Sequence, residues 1–102
     1  MDNGRQGDMR MSDELTVAID EYYTAYRELQ KYMNLRERTH FAPRTDGFIE
    51  IWSYKGNMRD KLLIKTTVEK GEENAEEQCY RKAAELVRNV LREQIELQRR
   101  AG

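Results

Sequence analysis

Catalysis in this chain would have to come from His40, Cys79 or the acidic run between Glu72 and Glu77. General acid–base or nucleophilic work needs titratable groups gathered in one pocket. His40 lies in a polar stretch with no nucleophile near it in sequence. Cys79 falls at helical spacing among Ala83, Leu86 and Val90, on an apolar side where a cysteine usually packs as a small hydrophobe. Only Arg81 and Lys82 nearby would favour its thiolate. Glu72, Glu73, Glu76 and Glu77 have neither calcium-loop spacing nor a histidine partner. Gly47, Gly56 and Gly71 stand singly, so there is no glycine-rich phosphate loop. These residues predict no enzymatic activity, no cofactor and no metal site.

Recognition is the chemistry that the residue types do suit. Phe48, Glu50, Trp52, Tyr54, Arg59, Lys61, Leu63 and Lys65 place aromatic rings beside cations. A central Trp and Tyr with Arg nearby is the composition of protein-interface hot spots. Arg36, Arg38 and Arg44 add a second cationic group suited to anion or phosphate contacts. The plainer alternative for those arginines is a solvated loop in which they pair with Glu37, Asp46 or acidic helix faces.

A β-hairpin must position the first group. Two runs rich in β-branched and aromatic residues flank Gly56-Asn57, a dipeptide suited to a tight two-residue turn. That turn pairs Ile51 with Leu62 and Ile49 with Ile64. A shift by two residues keeps the same sides, whereas an odd shift mixes apolar with charged positions. One face then carries Ile49, Ile51, Leu62, Ile64 and Thr66 and reads as core. The other carries the aromatic and basic set, with Trp52 opposite Lys61 and Tyr54 opposite Arg59.

Two helices should flank the hairpin. Ser12 is a good N-cap, so helix 1 is expected to begin at Ser12 or Asp13, after a disordered leader over residues 1–11. Leu15, Ile19, Tyr22, Tyr26, Leu29 and Met33 follow at alternating spacings of four and three, a stripe for packing on another helix or a second subunit. The tyrosines of this helix read as core-edge residues with wet hydroxyls, against a role in binding a ligand or partner. Residues 34–47 read as a connection, with a short third strand near His40-Phe41 as an option. Helix 2 is expected over Glu72 to Arg99, with Asn74 and Glu77 able to form a capping box. Its apolar residues, Val87, Leu91 and Ile95 among them, cover a broad sector.

At 102 residues the chain suits one domain, taken as 12–102. It is 36% charged with a net charge of −1, which argues against a general affinity for polyanions or anionic membrane. Only residues 41–70 carry a cationic excess. No apolar run approaches a membrane span or a signal peptide, and the lone cysteine excludes an internal disulfide, so a cytoplasmic setting is expected. The fold class is α+β in the order α-β-β-α, with both helices on one face of the hairpin. Two strand edges that carry apolar groups and no proline, with a small core, predict a homodimer, against the alternative of a monomer whose edges Arg59, Lys61 and Lys65 guard.

The α-β-β-α order loosely resembles the double-stranded-RNA-binding fold. That family has a basic start to its last helix. The same position here runs Glu72, Glu73, Asn74, Ala75, Glu76, Glu77, which would repel phosphate, so the resemblance does not carry an RNA-binding role to this chain. The expected function is a non-catalytic protein-interaction module working through the aromatic and basic hairpin face. Small chains without an active site often serve as adaptors or stoichiometric inhibitors, as accessory proteins of phages and mobile elements do. The alternative is nucleic-acid binding, with bases stacked on Phe48, Trp52 and Tyr54 and phosphates met by the lysines and arginines.

Overall fold

A computed structural model of the chain describes residues 2–41, 47–68 and 74–101, with side chains from Asp13 onward. Its elements are α1 (Asp2–Leu29), β1 (Leu35–Phe41), β2 (Gly47–Lys55), β3 (Met58–Val68) and α2 (Ala75–Ala101). The strands form one antiparallel sheet in the order β1-β2-β3, and the class is α+β. No helix among the described residues is long and apolar enough to cross a membrane.

α1 begins at Asp2, so Ser12 is an interior position rather than an N-cap, and helix runs through residues expected to be a disordered leader. Extending an existing helix adds one hydrogen bond per residue without a new nucleus. Arg5, Gln6, Met9, Arg10 and Met11 are good helix formers, and no proline interrupts them. At the other end Lys31 N–H bonds the Glu28 carbonyl and Tyr32 N–H the Leu29 carbonyl, at 3.2 and 2.9 Å. These tighter turns satisfy the last carbonyls.

The predicted stripe packs within the chain. Tyr22, Tyr26, Leu29 and Val87 are buried, and Leu15, Ile19, Met33 and Leu91 lie half-buried against the same core. Ala18, Ala25, Ala83 and Ala84 are buried too, and their small side chains let the helices approach closely. The two helices run in the same direction. Tyr22 meets Tyr80 near the start of α2, with ring centroids 5.5 Å apart, while Ala25 and Glu28 share a groove with Arg88 and Leu91 further along. α2 therefore overhangs: Ile95 and Leu97, assigned by sequence to its apolar sector, are 37% and 54% exposed. The capping box does not form among the described residues. Asn74, in a left-handed conformation at φ 54°, gives its carbonyl to Gln78 N–H, while Glu77 turns to Arg81 at 2.8 Å.

The largest departure from expectation is β1. Residues 35–41 are a full strand along β2, so the order is α-β-β-β-α. Leu35, Glu37, Thr39 and Phe41 lie on the helix side, opposite Ser53, Ile51, Ile49 and Gly47. With only its two ends apolar, the strand lacks the alternation that signals a half-buried strand. Its polar inner residue is instead satisfied by α1: Tyr22 and Tyr23 donate to the two oxygens of Glu37, at 2.5 and 2.9 Å. Phe41 closes the far end by packing over Gly47. A Cβ there would stand 2.2 Å from the Phe41 ring, so only glycine permits the contact.

The hairpin turns at Gly56-Asn57 as predicted, with Lys55 opposite Met58. Gly56 has φ 61° and Asn57 has no positive φ, the pattern of a type II′ turn. Beyond the turn β3 carries two bulges, at Asp60 and at Leu63. Their combined shift of two residues preserves the sides but moves the partners: Ile51 faces Ile64, Ile49 faces Thr66 and Gly47 faces Val68. The predicted Ile51–Leu62 and Ile49–Ile64 pairs do not form. Val68 gains burial at 6% exposure, while Leu62 leaves the core for the open face at 41%. The Ser53 hydroxyl stitches the first bulge, accepting from Lys61 N–H at 3.2 Å. Of the two outer positions assigned to Lys61 and Leu63, neither holds: Lys61 pairs with Ser53 on the other side, and Leu63 leans against the core.

Candidate functional site: the open face of the sheet

Both helices cover one side of the sheet, and among the described residues no element covers the other. β1 brings Arg36, Arg38 and His40 to this open face. β2 brings Phe48, Glu50, Trp52 and Tyr54, and β3 brings Arg59, Leu62, Lys65 and Thr67. Cross-strand pairing sets Arg36 beside Trp52, Arg38 beside Glu50, His40 beside Phe48, Leu62 beside Trp52 and Arg59 beside Tyr54.

Each aromatic ring carries a guanidinium. Arg36 lies over Tyr54 at 4.7 Å, Arg38 over Phe48 at 5.6 Å and Arg59 over Trp52 at 4.4 Å from the ring centroids. Such contacts contribute about 0.5–1 kcal/mol each at exposed sites. They hold the guanidinium groups against the rings of the sheet. Arg36 and Arg59 have no carboxylate within salt-bridge distance among the described residues, so their N–H edges remain available.

Glu50 is the centre of the lattice. It is 9% exposed and gathers Trp52 Nε1 at 3.2 Å, Arg38 at 3.4 Å and Lys65 at 3.5 Å. The indole hydrogen bond, with Arg38 and Lys65 adding to it, holds its carboxyl below the ordinary glutamate value against the opposing effect of burial. A carboxyl with a lowered folded pKa contributes stability above its unfolded value of about 4.3 and loses it as pH falls further. Glu50→Gln should therefore flatten the fall in melting temperature between about pH 5 and pH 3 relative to the parent. An unchanged acid profile in the variant would remove Glu50 from its organising role.

Sequence reasoning placed Phe48, Glu50, Trp52, Tyr54, Arg59 and Lys65 together on one face, and they are together. It put Arg36 and Arg38 in a separate anion loop, whereas β1 brings them into the same surface; Arg44 lies outside the described residues. It missed His40 and Leu62. The only signal for β1 was indirect: Leu35 and Phe41 fall on one parity and Arg36, Arg38 and His40 on the other, with Glu37 and Thr39 breaking the apolar side.

The tyrosines of α1 are not a wet core edge as expected: Tyr22 and Tyr26 are buried, and the Tyr22 and Tyr23 hydroxyls bond Glu37. Tyr22 stacks with Tyr26 and meets Tyr23 and Tyr80 edge-on. Burial, with the Glu37 carboxylate acting in the same direction, raises the pKa of Tyr22 and of Tyr23 well above the ordinary tyrosine value. Cys79 is buried against Thr66, its sulfur 3.2 Å from the hydroxyl, and burial pushes its thiol up rather than activating it. No group of three potential metal ligands occurs among the described residues. Compared with protein-family models, curated proteins and solved structures, the chain matches none of them.

Proposed function

We propose that this protein is a non-catalytic binding module that takes a partner protein with an acidic surface on the open face of its sheet. The observation that carries the reading is the row of guanidiniums resting on Tyr54, Phe48 and Trp52 around a single carboxylate. Arginines already ordered on rings lose little further freedom on binding, and their forked N–H groups match carboxylates bidentately. With four cations, Arg36, Arg38, Arg59 and Lys65, against Glu50, the face complements an acidic patch. An adaptor or a stoichiometric inhibitor acting in the cytoplasm fits a chain of this size.

Nucleic-acid binding is the second reading, favoured by half-buried rings and cations on one platform. It is opposed by Glu50 at the centre of that platform and by Glu76 and Glu77 in the first turn of α2. The experiment is capture of partners by the parent and by the double variant Arg36→Glu, Arg59→Glu. The variant should keep its circular dichroism and lose the captured protein, with about a tenfold or greater drop in affinity. Equal capture by the variant would contradict the proposal. Loss of capture by the parent after nuclease treatment would transfer the function to nucleic acid.

A further inference from the structure

The sheet has two edges, β1 and β3, and they are guarded unequally. On β1 the inward-pointing charge of Glu37 discourages a further strand. On β3 the two bulges break up the half near the turn. Ile64–Val68 is regular, and its lysine, Lys65, is drawn back onto Glu50 at 3.5 Å. The direction of its backbone groups follows from β2. Tyr54 N–H bonds the Asn34 carbonyl on the β1 side, and the β1–β2 register is unbroken, so the odd residues of β2 turn their N–H and C=O to β3. Ile49 and Ile51 therefore meet Thr66 and Ile64, and the backbone groups of Lys65 and Thr67 point outward. Among the described residues they have no backbone partner. α2 stands back from this edge, leaving a groove of about 430 Å³ lined by Thr66, Thr67 and Val68 and by Gln78, Lys82 and Glu85.

We infer that a second copy of the chain pairs here, β3 against β3 about a two-fold axis at Thr66, making one six-stranded antiparallel sheet. Lys65 of each copy exchanges both backbone hydrogen bonds with Thr67 of the other. The segment is its own complement in this register. Ile64 meets Val68 and Thr66 meets Thr66 on the helix side, so the two cores join, and each Lys65 faces a threonine rather than a lysine. Charge does not oppose the copy. Arg81 pairs with Glu77 at 2.8 Å and Lys82 with Glu85 at 3.8 Å, so the rim of the groove is balanced within each chain. The helix stripes, the other surface expected to meet a second subunit, are already packed against each other. Pairing also joins the two open faces: Thr67 of one copy stands beside Lys65 of the other, on the same side of the sheet as Glu50 and Phe48.

The test reads the assembly state of the full chain alone, by light scattering and sedimentation over a dilution series, so it does not depend on what the open face binds. The parent should be a dimer that dissociates on dilution, and the Lys65 and Thr67 amides should exchange at least about tenfold faster in the dissociated chain. Thr67→Pro removes an outward N–H and leaves the β2–β3 ladder intact, so it should keep its circular dichroism and be monomeric. Two charge variants fix the register without touching the backbone. Thr67→Glu sets a carboxylate opposite Lys65 of the other copy and should tighten the dimer roughly threefold to tenfold; Thr67→Lys sets like charges opposite and should weaken it by a similar factor. A parent that stays monomeric at millimolar concentration would overturn the inference. So would a dimer unchanged by folded Thr67→Pro, or one that the two charge variants shift in the same direction.

Discussion

Ile51→Ala is expected to cost about 2–5 kcal/mol of folding stability, whereas Leu62→Ala should cost under about 1 kcal/mol. Ile51 is fully buried in the layer between sheet and helices, so truncation removes apolar contact and leaves a cavity that packed neighbours refill only in part. Against a typical total of about 5–15 kcal/mol, that loss brings the domain close to unfolding at room temperature. Leu62 lies across from Trp52 on the open face at 41% exposure and shares no core with Ile51. An unbulged hairpin would put Leu62 opposite Ile51 and make the two substitutions comparable. Urea denaturation measures the difference as a shift in midpoint at unchanged slope. Comparable losses at the two sites would reject the bulged register. The same register places Lys65 beside Glu50, so the result also bears on the geometry of the open face.

Trp52→Ala carries the largest expected effect on recognition. Trp52 is half-buried, is capped by Arg59 and donates to Glu50. Removing it frees one guanidinium and takes one of three partners from the central carboxylate. A hot-spot tryptophan contributes about 2 kcal/mol or more, so affinity for the captured partner should fall roughly thirtyfold or more. Folding stability should change less than for Ile51→Ala, because the residue stands outside the core. Trp52→Phe keeps a ring under Arg59 and loses only the indole hydrogen bond, so it should recover part of the affinity. Loss of folding in Trp52→Ala without loss of affinity in Trp52→Phe would reassign the ring to structure.

How much of this was legible in sequence follows from the physics of each element. The turn at Gly56-Asn57 was legible because a positive φ leaves few residue choices. The core set Ile49, Ile51, Ile64 and Thr66 was legible because side alternates strictly along a strand. The bulges were hidden by the same rule: two inserted residues restore parity, so pattern alone cannot distinguish them from a longer loop. β1 was hidden because its inner face holds Glu37 and Thr39, and what makes that face tolerable is a pair of tyrosine hydroxyls from α1, far away in sequence. With β1 unread, Arg36 and Arg38 could not be seen to join Phe48 and Tyr54. The start of α1 was misread because Ser12 is a good cap in isolation, while a helix that can propagate has no need to stop there.

The most direct measurement uses the fluorescence of Trp52, the one tryptophan in the chain, which stands on the open face. With a tryptophan-free partner fragment or a selectively labelled indole, titration of the captured partner should shift or quench Trp52 emission to a saturable end point. The same titration should weaken as salt rises, since exposed charge contacts are screened over about 8–10 Å at 0.1–0.15 M. Emission that stays constant while the partner binds fully by an independent assay would show that the partner uses another surface, and the open face would lose its assigned role.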